Sequence, residues 1–207
     1  MADSNAAETH FVNGHRIRPP FPPGLAEATF GLGCFWGAER RFWQLAGVYA
    51  TAVGYAGGVV AHPTYRLVCT DTTNHAEVVR VVFDPATIGY DELLRVFWES
   101  HDPTQGNRQG ADIGSQYRSA IFWHDAAQRD TAVALIRELT EDGVFPDPIV
   151  TEVVELRAFL PAEAYHQGYF RRNPDQPYCS AVIAPKVAKL RRKLAGRLKP
   201  EGQPAGD

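Results

Sequence analysis

Short apolar runs of strand character alternate with stretches of helical spacing along most of this 207-residue chain, and that alternation constrains its fold more than any other feature. Residues 27–32, 48–55, 76–83, 119–123 and 149–156 read as strands, the third closed by the turn signal Asp84-Pro85. Residues 36–46 and 90–100 carry apolar positions at helical spacing, and Asp125 followed by Gln128 resembles a capping box opening a helix that Gly143 ends. Pro161 fits the first position of another helix running to Phe170. Residues 57–68 and 101–117 read as loops; the second is long, polar and rich in Gly, Gln and Asp. Strands interleaved with helices predict an α/β or α+β layered sheet.

The length accommodates one sizeable domain with appendages, or two small domains. We read residues 1–25 as a Pro-rich extension, 26–185 as the domain proper and 186–207 as a basic segment and tail. Hydrophobic residues at 44% and charged residues at 22% exclude a disordered or low-complexity chain. With 21 Lys+Arg against 24 Asp+Glu, there is no broad basic surface for a nucleic-acid backbone. No apolar run approaches the length of a membrane span, and the first 25 residues lack the apolar segment of a secretory signal. Three scattered cysteines, Cys34, Cys69 and Cys179, form no C-x-x-C pair. They predict free or transiently paired thiols in a reducing cytoplasm and no metal site.

Gly33-Cys34-Phe35-Trp36-Gly37 places a cysteine where a strand hands over to a helix. There the unpaired N–H groups and the dipole favour an anion, which lowers a thiol's pKa and makes a nucleophile; the alternative is a buried structural cysteine. Glu77 shares a strand face with Val79, Val81 and Phe83. It is either a carboxyl kept protonated by burial or a strand-end residue paired with His75 or Arg80. Tyr65, Tyr117 and Asp112 lie in loops, where binding groups concentrate. Cys34, His166 and Asn173 fall near the spacing of papain-like thiol hydrolases, but Leu32-Gly33-Cys34-Phe35 departs from that motif at two positions. A cysteine hydrolase using Cys34 and His166 is one alternative reading; the other, a non-catalytic binder of oxidised methionine, arises only as a rival to what a family resemblance carried by the same cysteine segment implies.

Gly33-Cys34-Phe35-Trp36-Gly37-Ala38-Glu39-Arg40 closely resembles the active-site segment of the A-type peptide methionine sulfoxide reductases, which act on the S epimer. Further blocks agree in order: residues 54–58, Pro63-Thr64-Tyr65-Arg66, His75-Ala76-Glu77, residues 101–105 and residues 109–119. The resemblance implies a two-layer α/β sandwich of the ferredoxin-like kind on a mixed sheet. It implies Cys34 as the nucleophile on the sulfoxide sulfur, Glu77 as the acid for its oxygen, and Tyr65 and Tyr117 as hydroxyls holding that oxygen. Phe35 and Trp36 resemble the apolar wall for the substrate methyl, and Asp112 the carboxylate that helps bind substrate and order a water.

The product would be methionine and a Cys34 sulfenic acid, with no metal or organic cofactor. Cys179 resembles the resolving thiol, which would leave a Cys34–Cys179 disulfide for thioredoxin to reduce. The segment after it, Ser180 to Lys186, departs from the family's Gly-rich stretch and leans toward a strand or packed segment. Direct reduction of the sulfenic acid by an external thiol is the alternative route, and Cys69 reads as a packed bystander. Thr73-Asn74 departs from a family glycine before His75. The resemblance implies repair of oxidised proteins by a monomer, with thioredoxin and oxidised proteins or free methionine sulfoxide as partners.

Overall fold

The computed structural model describes residues 8–199. In chain order the elements are β1 (Ala26–Leu32), α1 (Phe35–Phe42), β2 (Val48–Ala56), α2 (Tyr65–Val68), β3 (Ala76–Phe83), α3 (Tyr90–Ser100), β4 (Arg108–Gln109) and β5 (Asp112–Ile113). There follow β6 (Ser119–Trp123), α4 (Ala126–Glu141), β7 (Glu152–Glu155), β8 (Leu160–Pro161), α5 (Tyr169–Arg172) and α6 (Ala184–Lys193).

Six strands form a mixed sheet in the order β7-β6-β1-β3-β2-β8, and β4 and β5 make a separate short hairpin. The central strands β6, β1, β3 and β2 pair antiparallel, while β7 joins β6 in parallel. With α1 between β1 and β2 and α3 between β3 and β6, this is the β-α-β-β-α-β connectivity of ferredoxin-like folds. Period-2 alternation sorts β3 into two buried faces. Val79, Val81 and Phe83 meet Phe42 of α1 and Leu93, Leu94 and Phe97 of α3. Ala76 and Val78 meet Phe122 and the segment around Leu156 and Phe159 on the other side.

The Asp125 cap forms as predicted, its carboxylate accepting the Gln128 N–H at 2.9 Å, and Gly143 follows α4 at φ +60°. The Gln128 side chain, however, accepts the N–H of His124 rather than that of the cap residue. Near the N-terminus, the Arg80 guanidinium donates to the Ile17 carbonyl and lies over Phe159, with Glu27 at 3.6 Å. The buried Ile17 side chain is thereby held against Ala50 and Ala52.

Three expectations need correction. The helix predicted over 161–170 is replaced by strand β8, a single 3-10 turn at Ala164–His166, and α5. The reason is that Pro161 pairs with Gly54 at the sheet edge, Gly168 takes φ +66°, and the Gln167 side chain is held by the backbone of Val53 and Ala162. The strand-like reading of residues 180–186 fails too: Cys179–Ile183 is π-helical and runs directly into α6, whose first turn accepts Pro185. Finally, α1 ends at Phe42 rather than Ala46, because Leu45 turns to bridge Leu198 and Gly47 at φ +83° reverses the chain.

Phe97 sits wholly buried among Phe30, Trp98 and His101. Phe97→Ala is expected to lower unfolding stability by about 3–5 kcal/mol. Urea unfolding checks this; a loss below about 1 kcal/mol would remove the ring from the set that holds α3 to the sheet.

Candidate active site

Cys34 is the N-cap of α1, immediately after Gly33 at φ +89°. A Cβ on Gly33 would lie 2.8 Å from Gln109, so this turn has room only for glycine. Gln109 in turn grips the Asp102 backbone through both ends of its amide. The Asp102 carboxylate collects Thr104 and Gln105, so the long polar loop is pinned beside the thiol.

The sequence expectation for the thiol is reversed. Burial pushes the Cys34 thiol well above its ordinary range, and the Glu77 carboxylate pushes the same way. The Trp36 N–H at the helix start and the Tyr178 hydroxyl pull in the opposite direction, as a helix N-terminus should, but they are outweighed.

Glu77 settles between its two sequence alternatives. It is buried, and its Oε2 accepts the Phe35 N–H at 2.9 Å. Neither suggested partner reaches it: His75 bonds the Val60 carbonyl and Arg80 serves Ile17 and Glu27. Burial pushes its carboxyl up to about 8, against the Phe35 hydrogen bond and with help from Asp112. At neutral pH the resting site therefore holds a thiol and a neutral carboxylic acid side by side.

Tyr65 opens the short helix α2, capped by Thr64, and its N–H donates to Glu163 Oε1 at 2.9 Å. Glu163 also accepts the Tyr55 hydroxyl at 3.0 Å, fixing α2 to the sheet. Tyr117 ends a 3-10 turn whose first residue, Ser115, donates its N–H to Asp71 at 2.8 Å, so the loops carrying the two tyrosines are tied together. Both phenols are pushed up, by burial first and then by the charge of Glu77, which brings both near that carboxyl. Asp112 accepts a hydrogen bond from the Tyr178 hydroxyl, which also interacts with the Cys34 thiol.

Phe35 is fully buried against Tyr55 and His166, while Trp36 stays partly exposed. The accessible apolar surface is therefore that of Trp36. Its ring stacks on Tyr169 at 3.8 Å, and its indole N–H donates to His166 Nδ1 at 2.9 Å. His166 is buried and pushed down to about 4 by desolvation, so it is a neutral acceptor fixing Trp36. Among the described residues no hydrogen bond joins His166 to Cys34, so the geometry assembles no Cys34–His166 hydrolase pair.

Cys179 is completely buried with Ile183, Val187 and Phe170, and all three cysteines are free. Cys69 is not a packed bystander: it is exposed, and its sulfur interacts with the Tyr65 hydroxyl. The departure before His75 is absorbed by the backbone, because Asn74 adopts φ +54°, a conformation that asparagine tolerates better than most side chains. Sequence reasoning missed Tyr178 and Glu163, which act through contacts distant in the chain. Among the described residues no group of three or more His, Cys, Asp or Glu side chains could hold a metal, and no helix is long and apolar enough to cross a membrane.

Residues 26–198 match the family model described as peptide methionine sulfoxide reductase. The peptide methionine sulfoxide reductase MsrA of Azotobacter vinelandii is 57% identical, over 82% of this chain and 79% of the relative. That of Pseudomonas aeruginosa is 54% identical, over 83% and 80%. Among solved structures, methionine sulfoxide reductase A of Corynebacterium diphtheriae is similar with a TM-score of 0.70 and 37% identity, over 84% of this chain and 91% of that one. Mxr1 from Saccharomyces cerevisiae in reduced form gives a TM-score of 0.70 and 33% identity, over 75% and 90%. A partly exposed thiol beside a protonated carboxyl suits that chemistry, and the chain belongs to the peptide methionine sulfoxide reductase family, as a thiol-dependent oxidoreductase of the A type.

Proposed function

We propose that Cys34 is the nucleophile and Glu77 the proton donor in reduction of methionine-S-sulfoxide, free or within proteins. The observation that carries this reading is Glu77 itself, a buried carboxyl with no cationic partner, held by the Phe35 N–H beside Cys34 and kept neutral to about pH 8. A sulfoxide oxygen carries partial negative charge and accepts hydrogen bonds but is a weak base, so a neutral carboxylic acid poised to donate its proton is the matching partner.

Tyr65 and Tyr117 direct their hydroxyls to the same oxygen, Trp36 receives the methyl, and Asp112 with Tyr178 orders the polar side of the substrate. The Cys34 sulfur attacks the sulfoxide sulfur as Glu77 protonates the oxygen. The sulfoxide S–O bond breaks and a Cys34 S–O bond forms, giving the thioether and a Cys34 sulfenic acid; the thiol proton restores the one Glu77 gave, so the thiol is oxidised by two electrons and the sulfoxide is reduced by two.

Cys179 then attacks the sulfenic acid, releasing water and forming a Cys34–Cys179 disulfide. A dithiol reductant returns both thiols. Thioredoxin fits this part, since Mxr1 is also known in complex with Trx2. No metal or organic cofactor enters the cycle. The proposed setting is repair of oxidised methionine by a monomer in the cytoplasm, where three free thiols persist.

Incubation with racemic blocked methionine sulfoxide and dithiothreitol should consume only the S epimer, and folded Cys34→Ser should consume neither. Appreciable turnover by that variant removes Cys34 from the role. Glu77→Gln should slow the single-turnover reductase step by 100-fold or more. In the wild type that step should lose its acid as pH rises through about 8, because Glu77 is protonated below that value and ionised above it; the Gln variant should lack this falling limb. Cys179→Ser should complete one turnover yet stall in thioredoxin-driven cycling, whereas unchanged cycling would assign resolution to another thiol.

A further inference from the structure

On the helical side of Cys34 lies a cavity of about 20 Å³, the room of a single water, lined by Cys34, Gly37, Arg41, Asp112, Tyr178 and Lys186 among others. Cys34, Gly37 and Arg41 stand at i, i+3 and i+7, so α1 presents them along one face. Arg41 is only 5% exposed. Its Nε has no hydrogen-bond partner, and among the described residues no carboxylate lies within ion-pair distance of its guanidinium.

An unpaired buried charge is expensive, and a fold retains one where an opposite charge arrives during function. The groups whose negative charge would act on this guanidinium are the Cys34 sulfur and the Tyr178 oxygen, which line the same cavity. We propose that Arg41 is the counter-charge of the Cys34 thiolate: a positioning residue that stabilises the ionised sulfur across the small cavity that both line. This deepens the reading of Cys34 as nucleophile.

The groups facing the thiol are Glu77 from β3, Asp112 from β5, Tyr117 and Tyr178 from the flanking turns, Arg41 from α1 and Lys186 from α6. The carboxylates oppose ionisation of the sulfur. Of the two cations Lys186 is exposed on the rim and Arg41 is buried. His101, which Arg41 also faces, is held neutral by burial, its pKa pushed down to about 4. Arg41 is thus the permanent positive charge inside the site.

The test is the pH dependence of iodoacetamide alkylation in a Cys69→Ser/Cys179→Ser protein, where Cys34 is the only thiol. Arg41→Gln and Arg41→Met should move the midpoint up by about one unit, so that alkylation below it is about tenfold slower, and Arg41→Lys should recover most of the rate. Coincident profiles for the folded neutral variants and the parent would overturn the assignment. Should neither neutral variant fold, the parent itself decides. Carboxymethylation places a permanent anion on Cys34 and carbamidomethylation a neutral group of similar size. The carboxymethylated protein should melt higher; an equal or lower melting temperature would overturn the proposal. Because alkylation needs no turnover, this assignment and the nucleophile reading fail separately: activity surviving in Cys34→Ser would sink the latter alone.

Discussion

The hydrogen bond from the Phe35 N–H to the Glu77 carboxyl joins the first turn of α1 to the middle of the sheet. It uses one of the four N–H groups that a helix start leaves without an internal partner. The same bond fixes how far Cys34, the preceding residue, stands from an acid that arrives from β3. Everything else around the site adjusts to that pairing. Gly33 makes the turn tight enough, Gln109 closes over it, and the two tyrosine loops are linked through Asp71 and Ser115.

The electrostatics show why local and global arguments about a thiol diverge. A helix N-terminus does favour the anion, through the Trp36 N–H. Desolvation at the start of α1 weakens the solvation of that anion, and Glu77, once it ionises, opposes a second negative charge beside it. Desolvation wins because it acts on the whole charge, while each hydrogen bond offsets only part of it. Cys34 and Glu77 are thus both uncharged at neutral pH, which protects the thiol from casual oxidation, since the thiolate is the reactive form.

Much of this was legible in the sequence. The strands β1, β2, β3 and β6 were readable because their alternation or uniform apolarity survives in the folded faces, and α4 because its cap is local chemistry. Cys34, Glu77, Tyr65, Tyr117 and Asp112, singled out separately along the chain, lie close enough in the fold to act on one another electrostatically. Residues 161–170 misled because Pro161 is equally at home on a sheet edge and at a helix start, and only the distant Gly54 decides between them. The run Ala181-Val182-Ile183 suggested a strand by its β-branched content, a weak propensity that packing against Gly37 of α1 overrides. Tyr178, Glu163 and Arg41 carried no motif, since their importance lies in what they meet 66, 98 or 108 residues away or in the lack of any partner.

The π-helical stretch that begins at Cys179 has a mechanical consequence. A π turn holds one residue more than its hydrogen-bonding pattern needs in an α-helix, so it can rewind to α geometry without breaking α6. Passing one residue through the turn rotates whatever precedes it by about 100°. Tyr178 and Cys179 form the leading end of that stretch, so the phenol that meets Asp112 and the sulfur packed with Phe170 are both placed by the one turn of helix that carries the extra residue. The wound slack of one residue therefore lies between α6 and the phenol that reaches the polar pocket from this end of the chain.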